Sequence, residues 1–234
     1  MKQNRAYKHI FFDLDHTLWD FESSSIQTLK DMYSKLLKNL KGVPGCDEFI
    51  EVYHQHNERL WALYREGKLE KEVLSSLRFA DTLRSFDIGD DLLASEMGVY
   101  YVYYSPRNVF LFPFAIEILD YLKPKYHLHL ITNGFEEVQS TKLEVSGLGK
   151  YFQTITTSEE AGVKKPDAKI FEYALAKADA IASESIMIGD DLEVDLAGAK
   201  AIGMDQVYFN PNNMPHNQQV EFEVNALKAL MDYF

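Results

Sequence analysis

The sequence predicts an α/β fold: a Rossmann-like, doubly wound parallel sheet with an inserted α-helical cap domain. Short apolar segments typical of buried parallel strands recur along the chain, and helical patterns separate the later ones. A long polar and aromatic stretch with helical spacing interrupts this alternation after the first strand. Strands that alternate with helices form right-handed crossovers, which place helices on both faces of one sheet.

The core elements follow from these patterns in chain order. Each predicted strand is a short apolar run, and each predicted helix repeats apolar residues every three or four positions. Pro166 directly precedes the third of these helices, and proline is well tolerated at a helix start. The predicted strands span 7–13, 127–132, 152–157, 184–189 and 204–209, and the predicted helices span 113–124, 135–147, 167–179, 192–202 and 221–232.

Residues 20–105 are predicted to form the helical cap domain, inserted into a discontinuous core made of residues 1–19 and 106–234. Apolar residues such as Ile26, Leu29 and Tyr33 recur at helical spacing within this stretch. Glycines and a proline near residue 44 predict turns between its helices. We expect the cap to lie over the carboxyl edge of the sheet.

Composition limits the classes of partner. The chain has 234 residues, of which 46% are hydrophobic, so it can bury a sizeable core. Its net charge of −12 disfavours binding to nucleic-acid polymers, whose phosphates need a basic surface. No apolar stretch is long enough to span a bilayer, and the polar start is not followed by a signal-like block, so we expect a cytoplasmic protein. The single cysteine, Cys46, excludes an internal disulfide. The oligomeric state stays open.

Two carboxylates follow the first predicted strand. In an extended backbone, residues two apart point the same way, so Asp13 and Asp15 can reach one small volume together. Crowded carboxylates repel each other, and burial raises their pKa unless a cation compensates them. The pair therefore indicates a metal site or a proton-sharing role, although Asp-rich turns at strand ends are also common.

Three later segments place further polar residues at the carboxyl ends of predicted strands or at a helix start. Each alone is compatible with a helix cap or a solvated charge. Ligands in open α/β sheets bind at the carboxyl edge, so the segments together favour a functional site there. The residues are Thr132, Asn133 and Gly134, then Lys165 before Pro166, then Gly189, Asp190 and Asp191 with Asp195.

In their order and spacing, these motifs resemble those of the haloacid dehalogenase-like (HAD) hydrolase superfamily, over nearly the whole chain. The sequence around the first motif, from Phe12 to Phe21, is similar to that of the 5′-nucleotidases that act on nucleoside monophosphates. The resemblance also implies a helical cap at the position of the predicted insert.

The resemblance implies a catalytic role for four residues. Asp13 would be the nucleophile, and Asp15 would protonate the leaving oxygen and then activate a water molecule. Thr132, with backbone N–H groups near Asn133 and Gly134, would bind the phosphoryl oxygens, and Lys165 would neutralise shared charge. We also expect Trp19 to contact the substrate. The implied catalytic residues are Asp13, Asp15, Thr132 and Lys165. The expected substrate-binding residues are Thr132, Asn133, Gly134 and Lys165, with Trp19 added because it directly follows the first motif.

Mg²⁺ is the expected cofactor, because it suits the oxygen ligands of these motifs: it prefers octahedral oxygen coordination and tolerates several waters. We expect Asp13, the backbone carbonyl of Asp15 and Asp190 as ligands, with Asp191 and Asp195 in supporting or water-mediated positions.

The implied activity is hydrolysis of small phosphate monoesters through an aspartyl phosphate, with nucleoside monophosphates as the expected substrates. The alternatives are a sugar-phosphate phosphatase or phosphomutase, then a noncatalytic binding protein or a haloacid dehalogenase. Haloacid dehalogenases lack the second aspartate, so Asp15 favours phosphate transfer. Hexose-phosphate mutases usually carry glycine where this chain has His16, which disfavours that alternative.

Overall fold

The computed structural model describes residues 7–234, and the chain divides into two compact units. The first unit comprises the chain up to Phe21 together with Val109–Phe234, and the second comprises Glu22–Asn108. Residues 1–6, which include the polar start and the predicted beginning of the core, lie outside the described residues. The position of the second unit as a cap over the sheet stays a prediction.

A six-stranded parallel sheet forms the centre of the first unit, in the order β3-β2-β1-β4-β5-β6. This confirms the predicted α/β class. Strand β1 lies between β2 and β4, so the strands that follow it in the chain are added first on one side of β1 and later on the other. The point where the strand order reverses is called a switch point, and open α/β sheets bind ligands there. The strands are β1 (His9–Phe12), β2 (His127–Thr132), β3 (Thr154–Thr157), β4 (Ser185–Gly189), β5 (Asp205–Phe209) and β6 (Phe222–Val224).

The sixth strand corrects the predicted helix at 221–232, which is wrong. Strand β6 pairs in parallel with β5, with Phe209 opposite Val224, and a 3₁₀ helix follows at Leu227–Asp232. Phe222 and Val224 are the residue types that fit a pleated surface, whereas the later leucines at helical spacing produced the helical pattern. Pairing with a neighbouring strand decided the structure of this short segment.

Helices cover both faces of the sheet. Alternate residues of the central strands enter two separate apolar clusters, which is why these strands are apolar throughout. One cluster contains Phe12 and Leu130 and packs on Ile118 of a helix, while the other contains Phe11 and packs on Phe171. The helices of this unit are α5 (Ala115–Leu122), α6 (Glu136–Ser146), α7 (Ser158–Ala161), α8 (Ala168–Lys177) and α9 (Ala197–Ala201), preceded in the chain by α1 (Phe21–Met32), α2 (Cys46–Arg65), α3 (Lys71–Arg84) and α4 (Asp91–Tyr104).

The second unit is helical, as its pattern predicted. Helices α1 to α4 bury their own apolar cluster, which includes Leu29, Phe49, Phe79 and Met97. In the part of the chain that the structure describes, none of the helices combines the length and the apolar character needed to cross a membrane.

Three histidines lie close together in the amino-terminal halves of β1 and β2. His9 Nδ1 and His129 Nε2 are 3.1 Å apart, and the His9 ring also lies 5.0 Å from the His127 ring. His129 is buried, and its Nδ1 lies 2.8 Å from Thr154 Oγ1. Burial, together with the nearby His9 and His127, lowers the pKa of His129 to about 4.

Because of this histidine cluster, we expect the free energy of unfolding to fall in mild acid. The pKa of His129 is lower in the folded state than the value of about 6.5 in the unfolded chain, so the unfolded state binds the extra proton. Stability is therefore full above pH 6.5 and falls between pH 6.5 and pH 4, by about 2 kcal/mol from this ring once solvent screening is allowed for. Urea unfolding of His129→Gln should show a shallower pH dependence in that range. For His56→Gln, in the second unit, the free energy of unfolding should depend on pH as it does in the parent. The same pH dependence for His129→Gln and the parent would contradict the effect.

Candidate active site

Three strand ends bring polar side chains to one edge of the sheet. Asp13 follows β1 directly, and its backbone N–H donates to Ile188 O of β4 at 2.9 Å. The Asp13 side chain is only 8% exposed. Thr132 ends β2, and Asp190 follows β4. The predicted convergence at the carboxyl edge is therefore present in the structure.

Lys165 joins two carboxylates at this edge. Its buried ammonium Nζ lies 2.5 Å from Asp13 Oδ1 and 2.6 Å from Asp195 Oδ1, and it donates to Ile131 O at 3.0 Å. Burial alone would lower the pKa of Lys165, but the Asp13 and Asp195 carboxylates raise it above its ordinary value. The lysine is therefore a fixed positive charge beside Asp13.

Asn133 holds the backbone that carries this lysine. Its amide Nδ2 donates to Lys165 O at 3.0 Å, and its Oδ1 accepts from Lys165 N at 2.8 Å. Asn133, predicted to bind phosphate, thus has a further role that sequence reasoning missed: it fixes the Lys165 loop to the end of β2.

Asp13, Asp190 and Asp195 form an acidic cluster. One carboxylate oxygen of each lies within 4.8 Å of the other two. Gly189 permits this approach, because a Cβ there would lie 2.4 Å from Asp195 Oδ2. Asp190 Oδ1 accepts from Thr17 Oγ1 at 3.1 Å.

The cluster holds more negative charge than its lysine can neutralise. Burial raises the pKa of Asp13, with Lys165 opposing the shift and Asp195 adding to it. Burial also raises the pKa of Asp190 well above its ordinary value, and Asp195 and Asp13 add to that shift. An oxygen-ligated divalent cation is the ordinary compensation for buried carboxylates of this kind, so the donor set fits Mg²⁺.

Asp191, the other predicted metal-site residue, has a different environment. Its carboxylate Oδ1 accepts from Glu193 N and Val194 N, each at 2.9 Å, and so caps the helical segment that follows β4. Its backbone N–H donates to Asp195 Oδ2 at 3.2 Å. The structure therefore links Asp191 to the cluster through the backbone and does not bring its carboxylate into it.

Asp15 lies against helix α6 rather than within the acidic cluster. Lys142 Nζ donates to Asp15 Oδ1, and Gln139 Nε2 donates to Asp15 Oδ2 at 2.8 Å. Burial alone would raise the pKa of Asp15, but the Lys142 charge and these two hydrogen bonds bring it below its ordinary value.

Sequence reasoning missed Gln139 and Lys142. A signal was present, because both residues lie on the face of the predicted helix that also carries Phe135 and Leu143. Glutamine and lysine at core positions of an amphipathic helix require buried polar partners.

Thr132 and Gly134 lie beside this helix. Thr132 Oγ1 accepts from Gln139 Nε2 at 2.6 Å and from Gly134 N at 3.1 Å. A Cβ on Gly134 would lie 2.1 Å from Gln139 Nε2, so the glycine makes room for the glutamine.

Trp19 is fully buried in the core of the first unit. The ammonium of Lys142 lies 5.3 Å from the centre of its ring. The predicted contact of Trp19 with substrate stays a prediction, and the structure shows the indole supporting the lysine that binds Asp15.

A doubly wound parallel sheet with buried aspartates and a lysine at its switch point defines an α/β enzyme whose site is built around carboxylates. The family model described as haloacid dehalogenase-like hydrolase matches residues 7–203. The chain belongs to this hydrolase family, which confirms the resemblance found in the motifs.

Two relatives and one solved structure agree with this assignment. The chain is 31% identical over 230 residues to the pyrimidine 5′-nucleotidase PynA of Streptococcus pneumoniae, covering 97% of this chain and 94% of the relative. It is 43% identical over 210 residues to a ribulose-1,5-bisphosphate 5-phosphatase of Halopiger xanaduensis, covering 87% and 84%. The crystal structure of the HAD hydrolase YfnB of Bacillus subtilis, bound to magnesium, superimposes with a TM-score of 0.85 at 25% identity, covering 97% of this chain and 98% of that chain.

Proposed function

We propose that the protein is a Mg²⁺-dependent phosphatase that hydrolyses small phosphate monoesters through an aspartyl phosphate on Asp13, and that nucleoside monophosphates are its preferred substrates. The observation that carries this proposal is the pairing of two differently held carboxylates. Asp13 is buried against Lys165 within the acidic cluster, whereas Asp15 is held separately by helix α6. Two carboxylates in different environments suit two different roles in one reaction.

The first half of the reaction transfers the phosphoryl group to the enzyme. An Asp13 carboxylate oxygen attacks phosphorus, and the bond from phosphorus to the leaving oxygen breaks. The Lys142 charge and the two hydrogen bonds keep Asp15 ionised in the free enzyme, so Asp15 takes a proton from solvent as the negatively charged phosphate ester binds beside it. Asp15 then gives this proton to the leaving oxygen, so the product leaves as an alcohol.

The second half returns the enzyme to its starting state. A water molecule attacks phosphorus, and Asp15 takes its proton. The bond between phosphorus and the Asp13 oxygen breaks, which releases inorganic phosphate and restores the Asp13 carboxylate. Asp15 returns this proton to solvent, which restores its carboxylate for the next substrate.

The other residues at this edge of the sheet bind and orient the phosphoryl group. Lys165 offsets the negative charge that Asp13 shares with the phosphoryl group. Thr132 Oγ1 already accepts two hydrogen bonds, so its hydroxyl hydrogen is left to donate, as a phosphoryl oxygen requires. Asn133 keeps Lys165 in place.

The acidic cluster would hold the metal ion. Asp13 and Asp190 suit direct ligation together with the backbone carbonyl of Asp15, and Asp195 and Asp191 suit supporting positions. When bound, Mg²⁺ supplies positive charge that stabilises the transferring phosphoryl group.

The nucleotidase and sugar-phosphatase alternatives share this chemistry and differ in the leaving group. Support for nucleotides comes from the sequence around the first motif and from the pyrimidine 5′-nucleotidase relative. Support for a sugar phosphate comes from the ribulose-1,5-bisphosphate 5-phosphatase relative. The presence of Asp15 disfavours a dehalogenase, and the complete set of motif residues disfavours a noncatalytic protein.

A substrate panel tests this choice. Phosphate release should be measured with Mg²⁺ on pyrimidine and purine nucleoside monophosphates, ribulose-1,5-bisphosphate, hexose phosphates and 4-nitrophenyl phosphate. We expect the highest kcat/KM on a nucleoside monophosphate. A higher kcat/KM on a sugar phosphate would overturn the nucleotide assignment and leave the phosphatase chemistry intact.

Metal removal gives a separate expected result. Chelation should reduce phosphate release to the background rate, and Mg²⁺ should restore it, because the cluster carries uncompensated negative charge. Ca²⁺ should inhibit in competition with Mg²⁺, since its larger and looser coordination shell misplaces the phosphoryl group. Full activity in the presence of a chelator would contradict the proposed metal site.

A further inference from the structure

Helix α6 presents a glutamine and a lysine to the interior at a spacing of three residues. Residues at this spacing share one helix face. Gln139 is 1% exposed and Lys142 is 2% exposed, which is unusual for these residue types. Burial of such groups is costly unless they have polar partners, so their contacts are fixed features of the site.

Together the two side chains bind both oxygens of Asp15. The ammonium of Lys142 donates to Oδ1, and the amide of Gln139 donates to Oδ2 at 2.8 Å. The donors come from one helix and leave the Asp15 carboxyl little freedom to rotate. The pair therefore determines where this carboxyl lies.

The amide of Gln139 also connects Asp15 to the phosphate-binding loop. Gln139 Nε2 donates to Thr132 Oγ1 at 2.6 Å as well as to Asp15. With Gly134 N as the second donor, both acceptor positions of the Thr132 hydroxyl are filled. One amide thus orients the Asp15 carboxyl and the Thr132 hydroxyl.

Two aromatic rings confine the lysine. The Lys142 ammonium lies 5.3 Å from the ring centres of both Trp19 and Phe21. A cation over an aromatic face is stabilised by the ring quadrupole. Because Trp19 is fully buried, the ammonium that binds Asp15 also lies close to a fixed part of the core.

We propose that Gln139 and Lys142 are positioning residues for leaving-group departure, and that they act by holding the Asp15 carboxyl in place and, through Gln139, by directing the Thr132 hydroxyl. This inference rests on the proposed function, in which Asp15 protonates the leaving oxygen. Misplacement of a catalytic group by about 1 Å can cost about 10²-fold in rate.

The consequence depends on the leaving group. An alkyl ester such as a nucleoside monophosphate releases a strongly basic alkoxide, which needs the Asp15 proton. The 4-nitrophenolate anion is a weak base and leaves without one. Because kcat/KM covers the steps up to leaving-group departure, it isolates this difference from the later attack of water.

The test compares Asp15→Asn, Gln139→Leu and Lys142→Met on a nucleoside monophosphate and on 4-nitrophenyl phosphate. All three variants should lose about 10²-fold in kcat/KM on the alkyl ester. On the aryl ester, kcat and KM of Asp15→Asn and Lys142→Met should fall together, because the phosphoenzyme accumulates, and their kcat/KM should stay within about threefold of the parent. Gln139→Leu also removes a hydrogen bond from Thr132, so its kcat/KM should fall on the aryl ester too, but by less than on the alkyl ester. A change that merely loosened the fold would lower both substrates alike.

Two controls separate the possible failures. Glu144→Gln lies on the exposed part of α6 and should match the parent on both substrates. Gln139→Leu changes no charge, so it keeps the test decisive if Lys142→Met does not fold. One outcome would overturn this inference alone: Gln139→Leu and Lys142→Met lose kcat/KM equally on both substrates, while Asp15→Asn loses it mainly on the alkyl ester. Equal losses for Asp15→Asn itself would overturn the proposed role of Asp15.

Discussion

Asp13→Asn should lower phosphate release by about 10⁴-fold or more, because a carboxamide cannot form the aspartyl phosphate. The substitution keeps the size and shape of the side chain at a buried position. It also removes one negative charge from a crowded acidic cluster, so the variant should fold at least as stably as the parent in the absence of metal. Steady-state assays and thermal melts with and without Mg²⁺ provide the measurement.

A matched substitution outside the site serves as the control. Asp232→Asn makes the same chemical change at an exposed residue of the last 3₁₀ helix and should leave kcat/KM unchanged. Near-parental turnover by a folded Asp13→Asn protein, freed of contaminating phosphatase, would remove the nucleophile from the proposal.

Lys165→Met should have the second largest effect, on stability as well as on rate. The substitution leaves the Asp13 and Asp195 carboxylates buried without the ammonium that now contacts both. Breaking a buried ion pair in this way costs about 3 kcal/mol of unfolding free energy, and loss of a fixed charge beside the phosphoryl group costs about 10²-fold or more in kcat/KM. Urea unfolding in chelator measures the first effect without compensation by metal.

Lys169→Met provides the matched control, since it removes an exposed lysine four residues further along the chain. It should unfold and react like the parent. If Lys165→Met kept the parental unfolding free energy in chelator, the ion pairs of Lys165 would not be a net stabilising feature of the site.

Much of the site was predictable because parallel strands fix where side chains meet. The polar residues after β1, β2 and β4 had to reach one edge once the sheet was parallel, and the structure brings Asp13, Thr132 and Asp190 to that edge. Lys165 was predictable only from its motif, because a loop and not a strand carries it. The side chain of Asn133 forms two hydrogen bonds with the backbone of Lys165 and so fixes the loop that carries it, which no sequence pattern reveals.

Two kinds of feature were not predictable from local pattern. The first is pairing at the edge of the sheet: β6 is a three-residue strand whose structure depends on β5, and its own sequence suggested a helix. The second kind of feature is the set of side chains that form hydrogen bonds and ion pairs with a motif residue. The proximity of Asp13 and Asp15 in sequence suggested one shared volume, yet Lys142 and Gln139 hold the second carboxylate on α6. Long-range contacts across more than a hundred residues decided both the position and the charge environment of Asp15.

Formation of a phosphoenzyme on Asp13 is the most direct test of the proposed chemistry. The Asp15→Asn variant should be mixed rapidly with 4-nitrophenyl phosphate and Mg²⁺, and acid-quenched samples should be digested and analysed by mass spectrometry. We expect a burst of 4-nitrophenolate equal to the enzyme concentration, because the aryl group leaves without the Asp15 proton while the attack of water is slowed. A base-labile phosphoryl group should be found on Asp13 and be absent from Asp13→Asn. A steady release of nitrophenolate with no burst and no covalent phosphoryl group, or a phosphoryl group on another residue, would contradict catalysis by Asp13.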